Sequence, residues 1–455
     1  VETLTTPPTA PSTTVRALVA ARPSRRFLVA LAALLALAFA VRVGFVMVSS
    51  RHDDKFYDAA WYELVADGVA RGDGFVDPFV RIHDPDAVPG PTAQHPPLTS
   101  LVLVPVAWAT GESQLAMRFT MVVLGTVTVG LVGLLARRLA GETTGLVAAG
   151  LAAVYPYLWV NDGLIMSETI SALLVVASMY VAYALFGSAR LRSALALGVL
   201  CGLATLARAE LVLLAPLLLV PVVFGRGEDL KGMRVQVVGA VVLGGALVVT
   251  PWVAYNRARF DEPTFVSTND GIAMLGSNCD AVYHGGALGL TNLAPGVCLP
   301  DRPPPGDDSV AARVYRDEAI DYMRENASRV PVVVAARIGR NWGFFRPGDM
   351  VSWNANEGRP RAVTRAGMWF YYPILVLAVA GTVVARRRRI RVWPLLVPAV
   401  VVTVSTVLSY GQTRFRVPAE PSLVILASVA LVALAGRVRA RRGRSDAGAP
   451  AIAPG

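Results

Sequence analysis

Residues 25–58 read RRFLVALAALLALAFAVRVGFVMVSSRHDDKFYD. Two arginines open an apolar run over 27–48, and adjacent carboxylates, Asp53 and Asp54, follow it closely. A helix needs about 20 apolar residues to cross a bilayer core of roughly 30 Å, and this run supplies them. It is longer than a signal-peptide core and no clear A-x-A site follows, so it reads as a retained first span.

The rest of the chain repeats the pattern. Of its 455 residues, 54% are hydrophobic and 16% charged, with mean hydropathy +0.51. A soluble domain carries about 25% charged residues, so the apolar runs point to a bilayer. Further spans are expected at 115–136, 143–160, 165–186, 193–207, 211–224, 234–251, 367–385, 392–409 and 419–436, ten in all. The run 98–109, bounded by Pro97 and Gly111, is too short and reads as an interfacial helix. The expected fold is all-α integral membrane, with interfacial helices in the first outer loop and a small extracytoplasmic loop domain.

The formal charge of +11 fits this picture without nucleic acid, because the arginines cluster at the ends of apolar runs. With a cytoplasmic N-terminus, Arg137-Arg138, Arg190 with Arg192, Arg226 to Arg234, Arg386 to Arg391 and Arg437 to Arg444 all fall on the inner side. Counting 98–109 as a span would put Arg386 to Arg389 outside, against the positive-inside rule. The organisation is then a cytoplasmic, disordered 1–26, a core over 27–251 with outer loop 49–114, a loop domain over 252–366, final spans over 367–436, and a basic cytoplasmic tail over 437–455. Lys55 and Lys231 are the only lysines; arginine, alanine, valine and glycine dominate, and Val1 fits a GTG start, which points to a GC-rich bacterial source and its cytoplasmic membrane. Cys279 and Cys298 share the long loop and are expected to form a disulfide on an oxidising side, while Cys201 in an apolar run is a packing residue.

Polar residues gather on the outer face. A carboxylate of Asp53 or Asp54 can act as general base on an attacking hydroxyl, although solvated loop acids are the plainer reading. His95, before Pro96 and Pro97, either binds a phosphate or caps the interfacial helix. Asp162 and Glu168 are acids at membrane depth, which favours function, with helix capping as the alternative. Arg208 and Glu210 are either an ion pair or part of a donor site. Arg414 and Arg416 place positive charge outside, against the topology rule, and arginine at a helix N-terminus suits phosphate oxygens. No P-loop, dinucleotide fingerprint or zinc motif is present, and the inner segments are too short for a nucleotide-sugar domain. Carboxylates and arginines beside an apolar surface suit a phosphate head with a long lipid tail.

The order of motifs resembles the C-type glycosyltransferase superfamily, in particular bacterial members similar to protein O-mannosyltransferases and aminoarabinose transferases. The matching pieces are Asp53-Asp54 with Tyr57, TAQHPPL at 92–98, ARRLAGETTG at 136–145, MSET at 166–169, GLATLARAE at 202–210, TPWVAYNRARFDEPTFVSTNDG at 250–271 and RFRVPAEP at 414–421. The resemblance implies a polyprenyl-phosphate sugar donor, inverting transfer to a glycan, lipid or protein hydroxyl on the extracytoplasmic face, and no required cofactor, with a divalent cation possible near the acids. Carried over, Asp54, three residues before Tyr57, is the first choice for the base and Asp53 the second, and Arg414 and Arg416 hold the donor phosphate. Mannosyl transfer is one option among several sugars. The competing readings are a transporter or lipid flippase, which would show a polar path between both faces, and a lipid-linked polysaccharide polymerase or ligase.

Overall fold

The computed structural model describes residues 22–50, 57–84, 86–187, 190–224 and 232–447. Asp53, Asp54, residues 1–21 and most of the inner segment Arg226 to Arg234 lie outside the described residues. The described chain is almost wholly helical, and its extended pairing is limited to two isolated bridges, Val76 with Pro91 and Pro295 with Leu299.

Helix α1 (Arg25–Phe45) carries the opening apolar run, its first turn capped by the Ser24 hydroxyl, which accepts from the Phe27 N–H. Then come α2 (Tyr57–Arg71), α3 (Leu98–Thr110), α4 (Gln114–Ala140), α5 (Glu142–Val154), α6 (Pro156–Asp162), α7 (Ser167–Gly187), α8 (Leu191–Ala207), α9 (Leu214–Phe224) and α10 (Arg234–Arg257). Helices α11 (Asn269–Gly276), α12 (Asp308–Glu325), α13 (Val330–Asn341) and α14 (Pro347–Asn356) follow. The chain ends with α15 (Arg361–Arg387), α16 (Trp393–Leu408) and α17 (Glu420–Ala447).

The protein is a multi-pass membrane protein. Among the described residues six helices are long and apolar enough to cross a bilayer, and α5 with α6, bent by 57° at Tyr155, adds a seventh as a broken span. The ten expected spans all fall on helices. Three of them, α8, α16 and the stretch Ala209–Phe224, are shorter apolar helices of 10–17 residues. At 1.5 Å per residue such helices fall short of a bilayer core of about 30 Å, so the count of ten is not reached by length alone. The Pro97–Gly111 bounds expected for the short helix are those of α3, whose C-terminal Gly111 adopts the left-handed conformation that L side chains avoid.

Where the spans meet, small residues let backbones touch. A Cβ on Gly198 of α8 would lie 2.1 Å from the Val241 carbonyl of α10, and one on Gly244 would lie 2.3 Å from the Leu195 carbonyl. Close approach of this kind is how helices associate in lipid, where apolar burial gives little drive.

The segment between α10 and α15 is a compact helical layer. Cys279 and Cys298 are disulfide-bonded, with Cα atoms 5.4 Å apart. Buried Arg337 on α13 donates to the Ser277 and Val407 carbonyls and to Asn278 Oδ1, and Arg340 donates to the Leu288 and Gly286 carbonyls. These bonds give the two buried guanidiniums acceptors, most of them backbone carbonyls, and fasten the layer to the end of α16. Arg259, just past α10, donates to the Phe75 carbonyl and lies 3.9 Å from the Tyr255 ring centroid. The motif at 250–271 thus joins the layer to the segment after α2.

Candidate functional site

Three helix starts converge beside a cavity of about 810 Å³. Asp58 lies in the first turn of α2 and Glu168 in the first turn of α7, where the helix dipole favours a carboxylate. Arg414 lies on a short 3-10 turn, Thr413–Ala419, leading into α17. All three line the cavity, with His95, Arg208 and Glu210.

Arg414 binds the wall together. Its Nη1 donates to Asp58 Oδ2 at 2.9 Å, and its Nε lies 3.4 Å from Glu357 Oε1 and 4.0 Å from Glu168 Oε1. Arg208 donates to Glu210 Oε1 at 2.6 Å and to Glu168 Oε1 at 3.3 Å. Arg359 donates to Glu357 Oε2 at 2.8 Å and to Asn161 Oδ1 at 3.0 Å, and its Nη2 lies 3.6 Å from Glu168 Oε1. Fully buried Glu168 is therefore the common counter-ion of three guanidiniums. The Phe415 ring lies 5.3 Å from both the Arg208 and Arg414 guanidinium carbons, so cation–π attraction holds both side chains toward the cavity.

The electrostatics outside the spans are asymmetric. Burial by itself would raise the Asp58 carboxyl, but Arg414, His95 and Arg359 outweigh it and hold it at about 2. An acid held so low is a poor proton acceptor at neutral pH and a good anchor for a guanidinium. His95 is pushed down, chiefly by burial with Arg414 and Arg208 adding to it, against the attraction of Asp58. Its Nε2 is 3.7 Å from Asp58 Oδ1, and its ring packs 4.9 Å from Trp61 and 5.1 Å from Tyr62. Since α3 begins at Leu98 with Pro97 as its N-cap, His95 belongs to the cavity wall and does not cap the helix.

Two residues expected at the site stand apart from the cavity. Arg416 is fully buried, donating from Nε to Glu420 Oε1 at 2.6 Å and from Nη1 to the Asn341 carbonyl, with its guanidinium 3.5 Å from the Tyr371 ring centroid. Tyr155 donates to the other Glu420 oxygen. Asp162 accepts from Arg42 Nε on α1 and from the Thr169 hydroxyl, both at 2.7 Å. A charge at membrane depth must find a partner, and both residues have one away from the cavity. Tyr57 opens α2, and Cys201 is buried as a packing residue.

Sequence reasoning passed over Asp58, Arg359 and Glu357. Asp58 belongs to the same HDDKFYD motif as Asp53 and Asp54, and its position one helical step past Tyr57 was the available signal. Nothing local marks Arg359 and Glu357; the turn joining α14 to α15 brings Glu357 to the cavity and Arg359 behind it, against Glu357 and Glu168. Arg42, inside the opening apolar run, was a visible signal for a buried partner.

Residues 94–255 match the family model described as dolichyl-phosphate-mannose-protein mannosyltransferase. A comparison with curated proteins gave no match. Among solved structures, an oligosaccharyltransferase, AglB from Archaeoglobus fulgidus, in complex with an inhibitory peptide and a dolichol-phosphate, superposes with TM-score 0.57 at 13% identity over 94% of this chain. The fold is shared with an archaeal oligosaccharyltransferase. The same organism's oligosaccharyltransferase tethered to an acceptor peptide gives TM-score 0.56 at 15% identity over 91% of this chain, and its complex with zinc and sulfate gives 0.54 at 14% over 90%. This chain spans about half the length of these relatives, 53% in the first case. The motif resemblance to C-type polyprenyl-phosphate glycosyltransferases is borne out at the level of the fold.

Proposed function

We propose that the protein is a glycosyltransferase that moves a sugar from a polyprenyl-phosphate donor to a hydroxyl of a glycan, lipid or protein acceptor. The single observation that carries this reading is the convergence of Arg414, Arg208 and Glu168 on one cavity at the ends of membrane helices. The matched family model and the shared fold support it. The arginine distribution supports placing this cavity on the extracytoplasmic face of a bacterial cytoplasmic membrane, with both termini inside.

In the proposed reaction the acceptor oxygen attacks the anomeric carbon from the side opposite the phosphate. The new C–O bond forms as the bond to the phosphate oxygen breaks, which inverts the centre. The acceptor proton passes to Asp54, with Asp53 as the second choice. The polyprenyl phosphate leaves as an anion, and Arg414 and Arg208 stabilise the charge that develops on it. Arg416, spent on Glu420, supports the turn that presents Arg414. Asp58, held at about 2, orients Arg414 and leaves base duty to its neighbours in the motif.

Asp58, Glu168, Glu210 and Glu357 at the cavity are each paired with an arginine, and no group of three metal-ligating side chains occurs among the described residues. A divalent cation would depend on Asp53 and Asp54, and no step is routed through one.

The test is incubation of detergent-purified protein with a panel of labelled polyprenyl-phosphate sugars and envelope extract as acceptor. Release of polyprenyl phosphate from one donor, lost in Asp54→Asn, supports the class and the base. Loss only in Asp53→Asn exchanges the two acids. No consumption of any donor, with unchanged binding in both variants, defeats the reading and favours transport.

A further inference from the structure

Three guanidiniums of the cluster, Arg208, Arg359 and Arg414, face four carboxylates, Asp58, Glu168, Glu210 and Glu357. With every group ionised the cluster carries one excess negative charge. A phosphate entering such a place meets net repulsion unless one carboxylate withdraws or takes a proton.

The four acids are not equally able to do so. Asp58 is locked to Arg414 by a 2.9 Å bond, and Glu210 to Arg208 by one of 2.6 Å. Glu168 is fully buried and shared by three arginines. Glu357 differs from these. It sits on the turn between α14 and α15, followed by Gly358 at φ +86°, a conformation open to glycine. Its side chain is partly exposed, as are those of Asp58 and Glu210 and unlike that of Glu168. One of its oxygens is hydrogen-bonded to Arg359 at 2.8 Å, while the other faces Arg414 Nε at 3.4 Å, with the Gln412 amide beside the carboxyl. That buried Nε makes no hydrogen bond among the described residues. Glu357 can therefore stay on Arg359 while freeing an unbonded donor of Arg414.

We propose that Glu357 is the internal counter-ion of Arg414 which the phosphate of the lipid donor replaces, so that the α14–α15 turn senses donor binding. This rests on the glycosyltransferase reading above, and adds to it a positioning residue from outside the membrane helices. Burial pushes the Glu357 carboxyl up, with Asp58 adding to the effect and Arg414 and Arg359 opposing it. Gln412 and Tyr410 complete its surroundings, with His95 and Glu168 beyond Arg414. A proton on Glu357 would thus favour donor entry.

The experiment measures binding of polyprenyl phosphate to full-length protein in nanodiscs, for wild type, Glu357→Gln, Glu357→Asp and Arg414→Gln, from pH 5 to 8. Repeating the series with a polyprenyl-phosphate sugar, a phosphodiester whose charge is constant over this range, separates the ionisation of Glu357 from that of the ligand. Glu357→Gln should bind about tenfold tighter than wild type at pH 8, the effect of losing about 1.4 kcal/mol of repulsion, and the two should converge as pH falls. Glu357→Asp, which keeps the charge, should stay near wild type and keep its pH dependence. Equal or weaker binding by Glu357→Gln, a pH-independent ratio, or the same shift in both Glu357 variants overturns the counter-ion role. Arg414→Gln should lose binding. If wild type binds no polyprenyl phosphate, or binds it equally well without Arg414, the underlying glycosyltransferase reading fails instead.

Discussion

Replacing Arg414 by Gln tests the proposed mechanism most directly. In the structure this one side chain makes a 2.9 Å charge-assisted bond to Asp58 and faces Glu357 at 3.4 Å and Glu168 at 4.0 Å. At an effective dielectric constant of about 20, a unit charge pair at 4 Å is worth roughly 4 kcal/mol before desolvation. A preorganised donor aimed at developing charge is worth about 2.7–4 kcal/mol of barrier, or 100- to 1000-fold in kcat. Arg414→Gln is therefore expected to lower single-turnover release of polyprenyl phosphate by that factor. The loss should appear in kcat as well as in donor KM, because leaving-group charge is greatest in the transition state. Stability should fall too, since Asp58 would lose its guanidinium partner and Glu357 would keep only Arg359. The double variant Arg414→Gln with Asp58→Asn should recover that stability without recovering the rate. A kcat within threefold of wild type in folded Arg414→Gln protein would refute the assignment, and a rate restored by the double variant would show that repulsion, not lost phosphate stabilisation, caused the defect.

Other outcomes follow from the same geometry. Asp162→Asn leaves buried Arg42 without its counter-charge and should lower unfolding free energy by about 3–5 kcal/mol, measured by thermal unfolding in detergent, whereas Arg42→Met with Asp162→Leu should regain most of it. Gly125→Ala places a Cβ 2.0 Å from Asp162 Oδ2 and should lower the melting temperature more than Gly44→Ala, where a Cβ meets nothing within 4 Å. Reducing Cys279–Cys298, which closes a loop of separation 19, should cost about 3 kcal/mol and speed proteolysis of the α11–α13 layer. For Asp58 the folded carboxyl sits at about 2, below the ordinary aspartate value of 3.8. Its stabilisation is thus complete above about pH 4 and is lost as pH falls toward 2, so an acid-unfolding profile should flatten in that window in Asp58→Asn.

Most of the site was legible in the sequence because charge inside or beside an apolar run is conspicuous. Glu168, Arg208, Glu210, His95 and Arg414 all stood out on that ground, and all line one cavity. The same signal could not separate Arg414 from Arg416, two residues along the same turn. A short 3-10 turn points them to different sides, one to the cavity and the other to Glu420 and Tyr371. Likewise Asp162 and Glu168 read alike as acids at membrane depth, yet one meets Arg42 across the bundle and the other meets Arg208.

The sequence by itself determined the helices and their membrane character, because apolar run length against bilayer thickness is a local property. Tertiary structure alone decided the partners. Asp58 and Arg414 are 356 residues apart, Arg42 and Asp162 are 120, and Asn161 and Arg359 are 198. A buried charge dictates that some partner exists, but not which one. That choice is made by the packing of whole helices, through close approaches such as Gly198 on Val241, and those positions depend on the bundle as a whole.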